Sequence, residues 1–191
     1  MSLWGAYETD ESKPKYLTAE EKKNCYATAD GWVYKHPNGK EEILVAIGNL
    51  AGTSGTTNLG EATITDITWI TTTVYESDSD SADTLTIKVG YNEKVTVTGN
   101  PTVAVANDDA SGDGNGNYTL AYSAGTGTNQ LTFTASSLTL SATDVLSIAA
   151  QNVALAGGTI KDTASGTINS EVAISAGVAA AAGTVTVSAA V

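Results

Sequence analysis

The chain reads as an all-β protein: a β-sandwich preceded by an extended N-terminal arm and a β-hairpin module. Three observations predict this. Tyr118, Leu120 and Tyr122 alternate with Thr119, Ala121 and Ser123, and Leu131 and Phe133 alternate with Thr132 and Thr134, which is the period that gives a strand one buried face. Between these runs AGTGTNQ supplies glycines that can take the positive φ of a tight hairpin. The composition is rich in Thr, Ala, Gly and Val, with a single Phe, and no stretch sustains a helical apolar face over an ordinary helix length.

Residues 1–24 form the arm. Leu3, Trp4, Tyr7, Tyr16 and Leu17 are spread among Ser, Glu, Asp and Lys, and Pro14 interrupts any helix. One helical turn is expected in TAEEKK, capped by Thr18. A segment too polar to fold alone, yet carrying aromatic anchors, suits ordering by a partner; a disordered tail is the plain alternative.

Residues 25–61 hold the hairpin module and a linker. Trp32, Val33 and Tyr34 lead into HPNGK, where Asn38-Gly39 signals a tight turn, and Ile43 to Ile47 returns as a strand. GTSGTTNLGEA then marks the boundary.

Residues 62–191 form the sandwich. ATITDITW places Ile64, Asp66 and Thr68 on one face and Thr65, Ile67 and Trp69 on the other, so its buried face is expected to switch. DTLTIKVGY, KVTVTG and PTVAVA follow as three strands, with Gly99-Asn100-Pro101 as a corner. A low-complexity loop, NDDASGDGNGN, precedes the Tyr118 hairpin. EVAISAGV and GTVTVSAAV read as further strands, and the apolar C-terminal stretch offers either a last strand of the same sandwich or an edge for a second copy in a homo-oligomer.

Charge narrows the function classes. The chain carries 21 acidic residues against 9 Lys and no Arg, a net charge of −12. Nucleic-acid binding needs clustered cations and is not expected. Residues before 41 hold six of the nine Lys, so the acidity lies in the sandwich. Cys25 is alone and forms no intrachain disulfide. The polar start, MSLWGAYETDESKPK, gives no signal peptide, and no apolar run is long enough to span a bilayer, so no membrane association is expected.

Catalytic constellations are not legible, and the chain is read as a non-enzyme without cofactors. His36, beside Pro37 at a hairpin tip, is the single His, and a metal site needs several converging ligands. Cys25 has no base nearby in sequence and reads as a small semi-buried residue. Paired-carboxylate glycoside hydrolysis requires a cleft with aromatic platforms, and the sandwich offers few aromatics. Asp108, Asp109 and Asp113 provide hard oxygen ligands of the kind Ca²⁺ takes, but their spacing is not that of an EF-hand, and an exposed turn draws the same residues. They are a weak cation candidate beside a plain loop; the acidic run 76–84 is read the same way.

Two resemblances add to this. The corner VTVTGNP (95–101), the hairpin YSAGTGTNQLTF (122–133) and the corner LAGGTIKD (155–162) occur in the order of a bacterial immunoglobulin-like repeat, which they resemble. That resemblance implies a Greek-key sandwich and no activity. TASGT stands where the family often has Asp-Ala-Ala-Gly-Asn, which weakens an inherited cation site. The N-terminal stretch MSLWG…KPKYL…ADGWV…EEILVAIGNLAG is similar to the start of virion structural proteins of tailed phages, especially marine myophages and cyanophages.

The resemblance implies a location in the virion, with the major capsid protein or other virion proteins as partners. A head decoration or cement protein is the first expectation. There the arm lies on the capsid, Leu3, Trp4, Tyr7, Tyr16 and Leu17 fill apolar pockets, and Lys13, Lys15, Lys22 and Lys23 face an acidic surface. A tail, neck or fibre component is the second expectation. A module binding host-surface glycan is the third.

Overall fold

The sheet is organised around one long strand, and its order explains why the chain has two cores. The computed structural model describes residues 13–52, 59–76 and 83–189. In chain order the elements are α1 (Ala19–Lys23), β1 (Cys25–Thr28), β2 (Gly31–Lys35), β3 (Glu41–Ala46), β4 (Ile64–Trp69), β5 (Val74–Tyr75), β6 (Asp83–Thr98), β7 (Thr102–Asn107) and β8 (Tyr118–Ala124). β9 (Thr128–Leu138), β10 (Val145–Ser147), β11 (Gln151–Asn152), β12 (Thr159–Asp162), β13 (Ala173–Ile174), α2 (Ala176–Ala182) and β14 (Thr184–Ser188) follow. The protein is all-β.

β6 spans a stretch that the sequence divides into two strands. Its first half pairs with β4 on one side and β9 on the other, and its second half pairs with β12; an irregularity between Gly90 and Val95 separates the two. Leu85, Ile87, Val89, Tyr91 and Val95 are all fully buried, so the period of two survives the irregularity. From β6 the sheet runs through β9, β8, β7, β10 and β14 to β5, wrapping a single sandwich-like core. The hairpin of β8 and β9 is in the expected register, with Tyr122 opposite Phe133. Gly125 is required at its turn: φ is +113°, and an added Cβ would lie 2.1 Å from the Gln130 carbonyl oxygen.

β4 switches its buried face as expected. Ile64 is buried, a shift in register follows, and the buried side chains then become Ile67 and Trp69. The two corners at 95–101 and 155–162 meet in space. The position a Cβ of Gly158 would take is 2.1 Å from the Thr98 carbonyl oxygen.

The C-terminal stretch differs from the sequence reading. EVAISAGV yields only the short β13, and the alanines after it form α2, with Ser175 as N-cap accepting from the Val178 amide and Gly183 as C-cap at φ +71°. Alanine's helix propensity and two good caps outweigh the strand-like alternation before them. β14 is a strand, but it is flanked on both sides, antiparallel by β10 and parallel by β5. It therefore lies inside the sheet order, between β10 and β5, as the last strand of its own sandwich.

The N-terminal module is larger than a hairpin. β1 precedes the expected pair and makes a three-stranded antiparallel meander with β2 and β3. The Asn38-Gly39 turn forms as read, with Gly39 at φ +84° and the His36 amide donating to the Lys40 carbonyl at 2.8 Å. Cys25, Ala27, Trp32, Leu50, Ala51 and Leu59 form a second core, with Leu17, Leu44, Val45 and Ile47 packed against it. The module joins the sandwich sheet where β1 meets β6 in parallel, Ala27 opposite Glu93.

Candidate functional site

Three places carry chemistry worth building up: the Asp/Asn loop, a buried carboxyl pair at the module junction, and the surface of the N-terminal module. The loop between β7 and β8 contains Asp108, Asp109 and Asp113. The structure adds Asp144, which the sequence reading did not select. Asp109, Asp113 and Asp144 each offer a carboxylate oxygen, all within 4.8 Å of one another. Asp144 arrives from the turn before β10, a separation in sequence that no spacing rule bridges.

Within that cluster the oxygens are engaged by the loop itself. Asp144 accepts from the Ser111 amide at 2.8 Å and from Asn107 Nδ2 at 2.9 Å. Asp109 accepts from the Gly114 amide at 3.0 Å, and Asp113 from the Asn115 amide at 2.8 Å and from the Ser141 hydroxyl. Asp108 turns the other way and accepts from the Val145 amide at 2.8 Å. The Ser111 amide, aided by Asn107, holds the Asp144 carboxyl below its ordinary range against the opposing effect of burial. The arrangement closes a long loop with side-chain and backbone hydrogen bonds, and it places the oxygen chemistry a hard divalent cation takes at one point.

The second place is Glu93. It is 1% exposed, Asp162 is fully buried, and neither Glu93 oxygen nor Asp162 Oδ2 has a hydrogen-bond partner. β12 brings them together, since Asp162 is registered opposite Val95, two residues along β6 from Glu93. Burial, with the Asp162 carboxyl adding to it, pushes Glu93 up to about 8. Burial also raises Asp162, opposed by the amides of Ala164 and Ser165. Glu93 is therefore a neutral acid at neutral pH. The pair opens to no solvent, so a dissolved substrate does not reach it in this conformation.

The module surface holds the residues expected to bind a partner. Lys15 is exposed and Tyr16 is 63% exposed, while Leu17 turns inward onto the module core. Lys13 is 1% exposed: its ammonium donates to the Lys22 carbonyl at 2.9 Å and to the Thr65 hydroxyl at 3.2 Å. It therefore ties the segment before α1 to β4 and does not face outward. The Thr18 cap forms with its reciprocal Glu21 contact. Lys23 pairs with Glu20 at 2.8 Å. Leu3, Trp4 and Tyr7 lie outside the described residues, as does most of the acidic run at 76–84.

His36 sits at the hairpin tip, 2.9 Å from Glu42 and edge-on to Tyr34, and Cys25 is fully buried. Among the described residues no helix is long and apolar enough to cross a membrane. No protein-family model, no curated protein and no solved structure matches the chain.

Proposed function

We propose that the chain is a non-enzymatic virion structural protein of a tailed phage. In this reading it is a capsid decoration or cement protein, docked on the major capsid protein through its N-terminal region, with an acidic immunoglobulin-like domain facing outward. The observation that carries this is the module's independent core. Leu17, Leu44, Leu50 and Leu59 pack with Trp32 in a core apart from that of the sandwich, and Tyr16 and Ile43 stand at 63% and 52% exposure on the same small unit. A docking unit with its own core holds its anchors in a fixed arrangement. The similarity of residues 1–50 to phage virion proteins supports the same reading.

Many copies on a symmetric shell turn weak single contacts into stable occupancy. The test is the copy number in purified particles, measured by quantitative mass spectrometry against the major capsid protein. A simple ratio to capsid subunits supports decoration. A small fixed number per particle places the chain in the tail, neck or fibre, and absence from particles overturns the virion reading.

A further inference from the structure

We propose that the seam between the N-terminal module and the sandwich is a binding site for the carboxylate of an acidic sugar, gripped by Lys35 and Lys88. The inference goes beyond the virion reading and stands without it. A cavity of about 190 Å³ opens there, lined by the C-cap Asn24 and Lys35 from the module, Lys88 from β6, and Asn129, Gln130 and Thr132 from β9. Among the described residues no Asp or Glu lines it. In a chain with a net charge of −12, a recess lined by two lysines and, among the described residues, by no carboxylate runs against the composition.

Neither of these lysines is held by the described residues through its ammonium. Lys13, Lys23 and Lys94 have their ammonium groups engaged by the protein. Among the described residues neither the Lys35 nor the Lys88 ammonium donates a hydrogen bond; Glu41, opposite Lys35 across β2 and β3, feels the charges of both Lys94, 3.5 Å away, and Lys35. Lys88 lies opposite Thr132 in the β6–β9 register, so its ammonium and the Thr132 hydroxyl come from neighbouring positions of one sheet face.

The walls are fixed before any ligand arrives. Gln130 Nε2 and Asn129 Nδ2 both donate to the Lys23 carbonyl, at 2.9 and 3.3 Å, and the Lys35 amide donates to the Asn24 carbonyl at 3.0 Å. These bonds clamp the module to the hairpin and use the amide nitrogens. They leave the Asn129 and Gln130 side-chain oxygens and the Thr132 hydroxyl for a ligand's own hydroxyls. A charge to neutralise, with acceptors for hydroxyl groups beside it, describes an acidic sugar better than a bare ion. The volume is below that of a drug-sized site, so one sugar unit is held. Prior fixing of the walls lowers the ordering cost that otherwise defeats small ligands.

The test is a titration of the full chain, followed by amide chemical shifts, with sodium glucuronate, glucose and sodium sulfate at matched ionic strength. Glucuronate is expected to move the amides of Lys35, Lys88, Gln130 and Thr132 together and to saturate with a Kd of roughly millimolar. Raising NaCl to about 0.5 M, which shortens the screening length below its roughly 8 Å physiological value, weakens it several-fold. The double variant Lys35→Gln, Lys88→Gln keeps its spectrum elsewhere and loses about tenfold in affinity, the worth of one charge-assisted bond. The proposal is overturned by any of four results: no saturable glucuronate response, glucose acting as well as glucuronate, sulfate moving the same amides with equal affinity (an adventitious ion only), or unchanged binding in the double variant.

Discussion

Glu93 stands opposite Ala27 where β1 joins β6, and its carboxyl shares a buried environment with that of Asp162. The junction between module and sandwich is thus built on an acid that water does not solvate. The folded chain keeps Glu93 protonated up to about 8, whereas the unfolded chain releases that proton near the ordinary 4.5. Between those values the folded state binds more protons than the unfolded one, so stability falls as pH rises and levels off above about pH 8. Asp162, also raised, adds a contribution of the same sign. Asp144 and Glu41, both depressed, act oppositely: their stabilisation is lost only as pH falls below the ordinary carboxylate range.

Urea unfolding is therefore expected to show greater stability near pH 5 than near pH 8. Glu93→Gln has no proton to lose and flattens that slope, so its effect relative to the parent chain is more favourable at pH 8 than at pH 5. Equal stability of the parent chain at the two pH values counts against a buried neutral acid.

The contact between the two corner motifs gives a steric prediction. A methyl group at Gly158 meets the Thr98 carbonyl oxygen at 2.1 Å, and Gly99 Cα lies behind it at 3.1 Å. Both obstacles are backbone and cannot swing aside. Gly158→Ala is expected to cost about 2–3 kcal/mol in denaturant unfolding. Gly157→Ala is the comparison: φ there is +82° with open space around it, so only the backbone penalty of about 1–2 kcal/mol applies. An equal or smaller loss at Gly158 would remove the close approach of the corners.

The strand pattern was legible where alternation is strict, and the candidate chemistry was not. Leu120, Leu131 and Phe133 were placed on a buried face by period alone, and all three are fully buried. The irregularity between Gly90 and Val95 hid the continuity of β6, because GYNEK lacks the apolar alternation that marks a strand. Asp144 and Glu93 escaped for a different reason. A buried carboxyl and a solvated one look the same in sequence, and only pairing across the sheet brings Glu93 to Asp162 or Asp144 to Asp109. Lys13 shows the converse error, since its charge suggested a surface and the fold buries it against Thr65.

The Asp loop leads to a prediction about cations. Its carboxylates are already bonded to Ser111, Gly114, Asn115 and Val145 amides, and a cation competes with those bonds. Calorimetry with Ca²⁺ is expected to detect no binding tighter than roughly millimolar. A micromolar site abolished by Asp109→Ala with Asp113→Ala would overturn this.

The second core predicts that the module can be loosened without dissolving the sandwich. Leu50 is fully buried among Cys25, Trp32 and Leu59, and its core shares no residue with that of the sandwich. Leu50→Ala is expected to cost the module about 2–5 kcal/mol, the range for truncating a buried leucine. Hydrogen exchange should quicken at the amides of β1 and β2, while β8 and β9 keep their protection. Tyr16→Ala separates docking from stability in the same unit. A side chain 63% exposed contributes little to folding, within about 0.5 kcal/mol. If Tyr16 anchors the protein to a particle, its loss lowers occupancy while unfolding stays where it was. Full occupancy with Tyr16→Ala, together with loss of occupancy on Leu50→Ala, would move the docking face off Tyr16 while keeping it on the module.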